Sequence, residues 1–106
     1  MHKMVVFAKA VPGKVEELAK WYDEQHMNDL LAVPGLVTAE RHTIMTVKQP
    51  DGSPAWDFML VYELEGQDPG PALQNMGKAN IAISDLLEST STLSVIAISQ
   101  GLRKEV

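Results

Sequence analysis

Apolar positions recur along this chain with two different periods. The stretches "KMVVFAKA" (3–10), "LVTAERHTIMTV" (36–47), "AWDFMLVYEL" (55–64) and "TLSVIAIS" (92–99) are rich in β-branched and aromatic side chains, and each predicts a strand. Residues 14 to about 31 repeat apolar positions at spacings of three and four and predict a helix. Val33-Pro34-Gly35 stops it, because the residue before a proline is pushed out of the helical region. A second helix is expected from about 72 to 87 on the stripe Ala72, Met76, Ala79, Ile83, Leu86 and Leu87. Pro50-Asp51-Gly52 predicts a hairpin turn between the second and third strands: proline fixes φ, and glycine supplies a positive φ.

The order β-α-β-β-α-β is the ferredoxin-like arrangement, an α+β fold with a four-stranded antiparallel sheet and two helices on one face. A sheet face left to water should carry polar side chains at every second position. These strands do not. Trp56, Phe58, Leu60, Tyr62 and Leu64 share one side of the third strand, yet Met59 and Val61 occupy the other. Val5 and Phe7 oppose Met4, Val6 and Ala8 in the first strand, and Val95 and Ala97 oppose Ile96 and Ile98 in the last. No third layer remains in the chain to cover the second face. A second copy of the same sheet is the simplest cover, so a homodimer through the open sheet face is expected.

The first helix holds the candidate chemistry. With Val15 at 0° and 100° per residue, Leu18 falls at roughly −60°, Ala19 at 40°, Tyr22 at −20° and Leu30 at 60°, which defines an apolar stripe. His26 lands at roughly 20° and Asp29 at −40°, inside that stripe. Burying such groups without partners costs a few kcal/mol, so Tyr22, His26 and Asp29 either satisfy one another or line a cavity. A lone histidine would read as a satisfied core residue. Three polar side chains on one stripe read as a catalytic pocket, with His26 as acid or base, Tyr22 as donor to a developing oxyanion and Asp29 orienting the ring.

Three more residues are candidates for contact with a substrate. Arg41 alternates with His42 on the second strand and could bind a carboxylate or enolate, or equally form an ion pair with Asp29 or Glu63. His42 reads more simply as a surface residue. Trp21 lies off the stripe at roughly 240° and suits packing or an interface better than a platform on which a ligand stacks. His26, Asp29 and His42 form no tight ligand motif, and no metal is expected.

Composition narrows the classes. The 106 residues are 45% hydrophobic and 22% charged, which fits one globular domain. A net charge of −5 without basic runs argues against nucleic acid or an anionic membrane as partner. The absence of cysteine removes thiol chemistry and disulfides. "MHKMVVFAKAVPG" is too short and interrupted for a signal peptide, so a cytoplasmic location is expected. No P-loop, dinucleotide fingerprint, EF-hand loop or G-x-S-x-G occurs, and no cofactor is implied.

The segment "FAKAVPGKVEELAKWYDEQHMNDLLAVPGLVTAERH" closely resembles the opening half of EthD-like proteins, small dimeric α+β barrels. Trp21, Tyr22, Asp23, His26, Asp29, Leu31, Pro34, Gly35, Val37, Ala39 and Arg41 all fall in step with that family's pattern. The resemblance implies a ferredoxin-like fold whose sheets pair in a homodimer, and a His26 that faces a cleft between helices and sheet. Relatives often carry proline two residues after the histidine, where this chain has Asn28, so the helix should run on to Leu31. The wider superfamily includes muconolactone isomerases, polyketide cyclases and cofactor-free oxygenases. The reading adopted is a cofactor-independent isomerase, cyclase or lyase acting by proton transfer on a small aromatic or polyketide-like compound. A non-catalytic ligand-binding or accessory protein of a degradation pathway ranks second, and a cofactor-free monooxygenase third.

Overall fold

A computed structural model describes residues 1–45 and 55–106. Its elements are β1 (His2–Ala8), α1 (Val15–Trp21), a π-helical turn (Tyr22–His26), α2 (Met27–Leu31), β2 (Leu36–Thr43), β3 (Phe58–Leu64), α3 (Gly70–Ala79), a short 3₁₀ turn (Ser89–Ser91) and β4 (Leu93–Ala97). The sheet is antiparallel in the order β2-β3-β1-β4, as the ferredoxin-like reading requires. The hairpin turn at Pro50-Asp51-Gly52 lies outside the described residues, as does the end of the expected second strand.

Alternation decides what each strand buries. Phe58, Leu60, Tyr62 and Leu64 of β3 are buried, and Met4 and Ala8 of β1 join them under the helices. Met59, Val61, Val5 and Phe7 turn to the open face, where the register aligns Val5 with Val95 and Phe7 with Leu93. All five β4 residues are exposed. The described chain therefore leaves one sheet face and one edge strand uncovered.

Trp56 departs from the expected row. β3 begins only at Phe58, and the Trp56 ring packs 5.0 Å from Phe7 while its Nε1 donates to Ser91 O at 2.6 Å. The neighbouring Asp57 instead closes the end of β1, its N–H donating to Ala8 O and its Oδ2 accepting from Ala10 N at 2.8 Å.

The second helix is shorter than its stripe predicted. It ends at Ala79 because Asn80 adopts a left-handed conformation, φ 49°, which asparagine tolerates better than most residues. Leu86 and Leu87 still pack on the core, but as an irregular strip: Val11 N donates to Leu86 O, Ala10 bridges Leu87, and Glu88 N donates to Lys9 O. Ile83, expected on the stripe, is 60% exposed.

The loop into β2 explains the Pro34-Gly35 pair. Gly35 has φ +102°, and a Cβ placed there would lie 2.7 Å from Ala72 Cβ. Only glycine lets α3 approach this turn.

Candidate functional site

The first helix changes pitch in its middle. In the π turn the Met27 N–H donates to Tyr22 O, five residues back instead of four, so the helix accommodates one extra residue. That extra residue rotates everything after it by about 100° relative to a continuous α-helix. Leu30 thereby takes the inward position that the uninterrupted wheel gave to Asp29, and is buried. Asp29 is carried to the solvent side and is exposed. The expectation that Asp29 lies inside the stripe is corrected here, and the cause is the π turn.

Tyr22 and His26, at the two ends of that turn, both point inward, with exposures of 2% and 7%. The Trp21 and His26 rings stack, with centroids 4.3 Å apart and planes 19° from parallel. Tyr22 meets His26 edge-on at 5.5 Å and Phe58 of β3 edge-on at 6.5 Å. Among the described residues His26 Nδ1 is buried and has no hydrogen-bond partner. Such an orphaned atom is rare, since a buried polar group without a partner costs about 1–3 kcal/mol.

Burial sets the protonation states. It lowers the His26 pKa from its usual value, and the nearby Asp29 charge partly opposes that, so the imidazole is neutral at pH 7. Burial pushes the Tyr22 phenol up to about 12, and raises Tyr62 as well, where Tyr22 adds to the effect. The cluster thus holds a neutral base beside phenols that stay protonated.

Arg41 faces the same side as Ala39 and Thr43, toward the helices. Its Nε and Nη2 donate to the two carboxylate oxygens of Asp23, each at 2.8 Å, and its Cζ lies 4.8 Å from the Phe58 centroid. The partner is therefore neither Asp29 nor Glu63; Glu63 accepts from Thr38 Oγ1 instead. The Arg41 hydrogen bond holds the Asp23 pKa low, and Asp23 raises that of Arg41. The pair fastens the π turn to the edge of the sheet.

His42 is on the open face, where its Nε2 lies 2.9 Å from Glu40 Oε1. The sheet separates it from His26. Among the described residues no group of three or more His, Cys, Asp or Glu side chains could hold a metal ion, and no helix is long and apolar enough to cross a membrane.

The structure thus brings Trp21, Tyr22 and His26 together, sets Arg41 beyond Phe58 from them, and keeps Asp29 and His42 apart. The larger surface cavities lie elsewhere. A hollow of about 360 Å³ lined by Glu17, Lys20, Trp21, Glu24 and Gln25 reaches the cluster through Trp21. Sequence reasoning missed Asp23 as the Arg41 partner, although both belong to the EthD-like pattern.

No protein-family model and no curated protein sequence matches the chain. Solved structures do. An EthD family protein from Bacillus halodurans superposes with TM-score 0.60 at 18% identity, covering 94% of this chain and 100% of its own. HapK from Hahella chejuensis gives 0.59 at 13% identity, covering 99% and 100%. A dimeric ferredoxin-like protein from Thermobifida fusca gives 0.54 at 18% identity, covering 92% and 90%. The chain has the fold of EthD-like, ferredoxin-like proteins along nearly its whole length.

Proposed function

We propose that the protein is a cofactor-independent acid–base catalyst acting on a small aromatic or polyketide-like compound, with His26 as the proton-transferring group. The observation that carries this reading is the buried, partnerless His26 Nδ1 inside a π turn, a distortion common at functional sites. A neutral imidazole can take a proton from a carbon acid; the electron pair then moves onto the substrate's carbonyl oxygen. The Tyr22 phenol, kept protonated by burial, donates to that oxyanion, and His26 returns the proton to another atom of the substrate. Isomerisation, cyclisation and elimination need no more than this. Trp21 covers His26 and lines the adjacent hollow, so it is the side chain a flat ligand displaces or stacks on. Arg41 is the site for a ligand carboxylate, in exchange for Asp23.

The open sheet face is assigned to a second copy. Val5, Phe7, Met59 and Val61 would pair there with their equivalents, as the dimeric character of the Thermobifida fusca protein supports. A non-catalytic ligand-binding role is the second reading, favoured by the closure of Trp21 over His26.

The test is a thermal-shift screen of wild type, His26→Ala and Tyr22→Phe against aromatic acids, lactones, phenols and polyketide-like compounds. Hits are then incubated in D2O. A compound that stabilises wild type, fails to stabilise His26→Ala and exchanges a carbon-bound proton only with wild type supports the catalyst. Binding without exchange supports the second reading, and oxygen uptake with a phenol would move the protein to the monooxygenases. Equal stabilisation of all three proteins would remove His26 from the site.

A further inference from the structure

The open sheet face is not uniformly apolar, and its few charges are placed. The register of β1 against β3 sets three cross-strand pairs on that face: Phe7 beside Met59, Val5 beside Val61, and Lys3 beside Glu63. The first two pairs are apolar, and the third sets a cation beside an anion. These pairs occupy the middle of the sheet, with β2 and β4 outside them. The two charges are left over within the chain. Among the described residues Lys3 forms no ion pair, and Glu63 accepts from the uncharged Thr38 Oγ1 at 2.9 Å.

Resting on the reading that a second copy covers this face, we propose that the copies pair about a twofold axis running along the strands between β3 and β1, with Lys3 of each copy opposite Glu63 of the other. Rotation about that axis lays β3 of one sheet over β1 of the other at the same level along the strands. Met59 then meets Phe7, Val61 meets Val5 and Glu63 meets Lys3, each contact made twice. Packed sheets lie about 10 Å apart, a gap that a lysine and a glutamate side chain span together. Twist turns aligned sheets by about 30°, which displaces the edge strands most and these central pairs least. An axis across the strands through the same centre fits worse. It sets Glu40 against Glu40 and lays Lys3 and Glu63 on Phe7 and Met59, where both charges lose water and gain no partner. The apolar block accepts either orientation; the charges select one.

Charge reversal followed by mixing tests the pairing on the full chain, without any ligand. Lys3→Glu gives a face with two carboxylates in the central pair, and Glu63→Lys a face with two ammonium groups. Far-UV circular dichroism checks that each variant is folded. In sedimentation velocity each variant alone should show a dimer dissociation constant at least about tenfold above wild type, because like charges then oppose each other twice. An equimolar mixture should return to within about threefold of wild type, with the mixed dimer identified by native mass spectrometry. The pair inside each chain is disrupted equally before and after mixing, so recovery reports contact between chains. Variants that dimerise as wild type does, or a mixture no tighter than its components, overturn the pairing while the dimer stands. A wild type that is monomeric at micromolar concentration removes the second copy from this face, and the pairing with it. Neither result touches the assignment of His26.

Discussion

His2 and His26 are buried to nearly the same extent, 8% and 7% exposed, and they differ in everything else. His2 uses both ring nitrogens. Its Nδ1 accepts from Ser99 N at 2.9 Å, which leaves Nε2 to donate to Gln67 O at 2.5 Å. It staples the start of β1 to the loop before α3 and to the segment that follows β4. His26 has an orphaned Nδ1 and aromatic neighbours on its faces. Burial alone therefore does not separate a structural histidine from a poised one; hydrogen-bond satisfaction does. Replacing each in turn should show it. His2→Ala leaves Ser99 N–H and Gln67 O without partners and should cost about 2–3 kcal/mol, a drop in Tm of roughly 10–15 °C. His26→Leu removes no hydrogen bond seen here and should stay within about 1 kcal/mol of wild type. Urea denaturation of the pair measures both, and a reversed ranking would break the comparison.

Acid sharpens it further. The folded His26 pKa lies below that of the unfolded chain, so the unfolded state binds protons first as pH falls. Its contribution to stability is complete above the unfolded value of about 6.5 and is lost as pH falls through the folded pKa, with a slope of at most about 1.4 kcal/mol per pH unit. His26→Leu should flatten that part of the profile. A wild-type profile that the substitution leaves unchanged would mean that His26 titrates alike in both states.

The asymmetry between the two histidines was only half legible in the sequence. Strand order, sheet faces and the inward position of Tyr22 and His26 follow from periodicity, because a period of two or 3.6 is a local property. The α-helical wheel failed at Asp29 because it assumes a constant pitch, and a single π hydrogen bond resets the phase downstream. A trace of that reset was present all the same: a carboxylate assigned to the middle of an apolar stripe, with Leu30 at its margin, is what one inserted residue produces. His2 looked like a mere terminus, since its partners, Gln67 and Ser99, are distant in the chain. The end of α3 at Asn80 was hidden for the same reason: the pairing of 86–88 with 9–11 is a tertiary contact. Asp23 and Arg41 are likewise 18 positions apart, and only the fold brings them together.

The smallest expected effect concerns what holds the His26 side in place. Where His2 is a staple between backbone groups, the π turn is fastened by one ion pair, Asp23 with Arg41, whose side chains are 44% and 22% exposed. Water and salt screen such a pair, so its bidentate geometry counts for more than its Coulomb energy. Asp23→Asn keeps the size of the side chain and loses the charge and one acceptor. It should cost about 0.5–1 kcal/mol at low ionic strength, and less at 1 M salt. The local effect should exceed the global one. With the turn released from the sheet edge, the Met27 amide that bonds to Tyr22 O should exchange with solvent faster, while the Ser99 amide held by His2 should not change. Amide exchange at those two positions is the measurement. Equal acceleration at both would mean that Asp23 supports the whole domain, and that the two histidines belong to one cooperative unit rather than two.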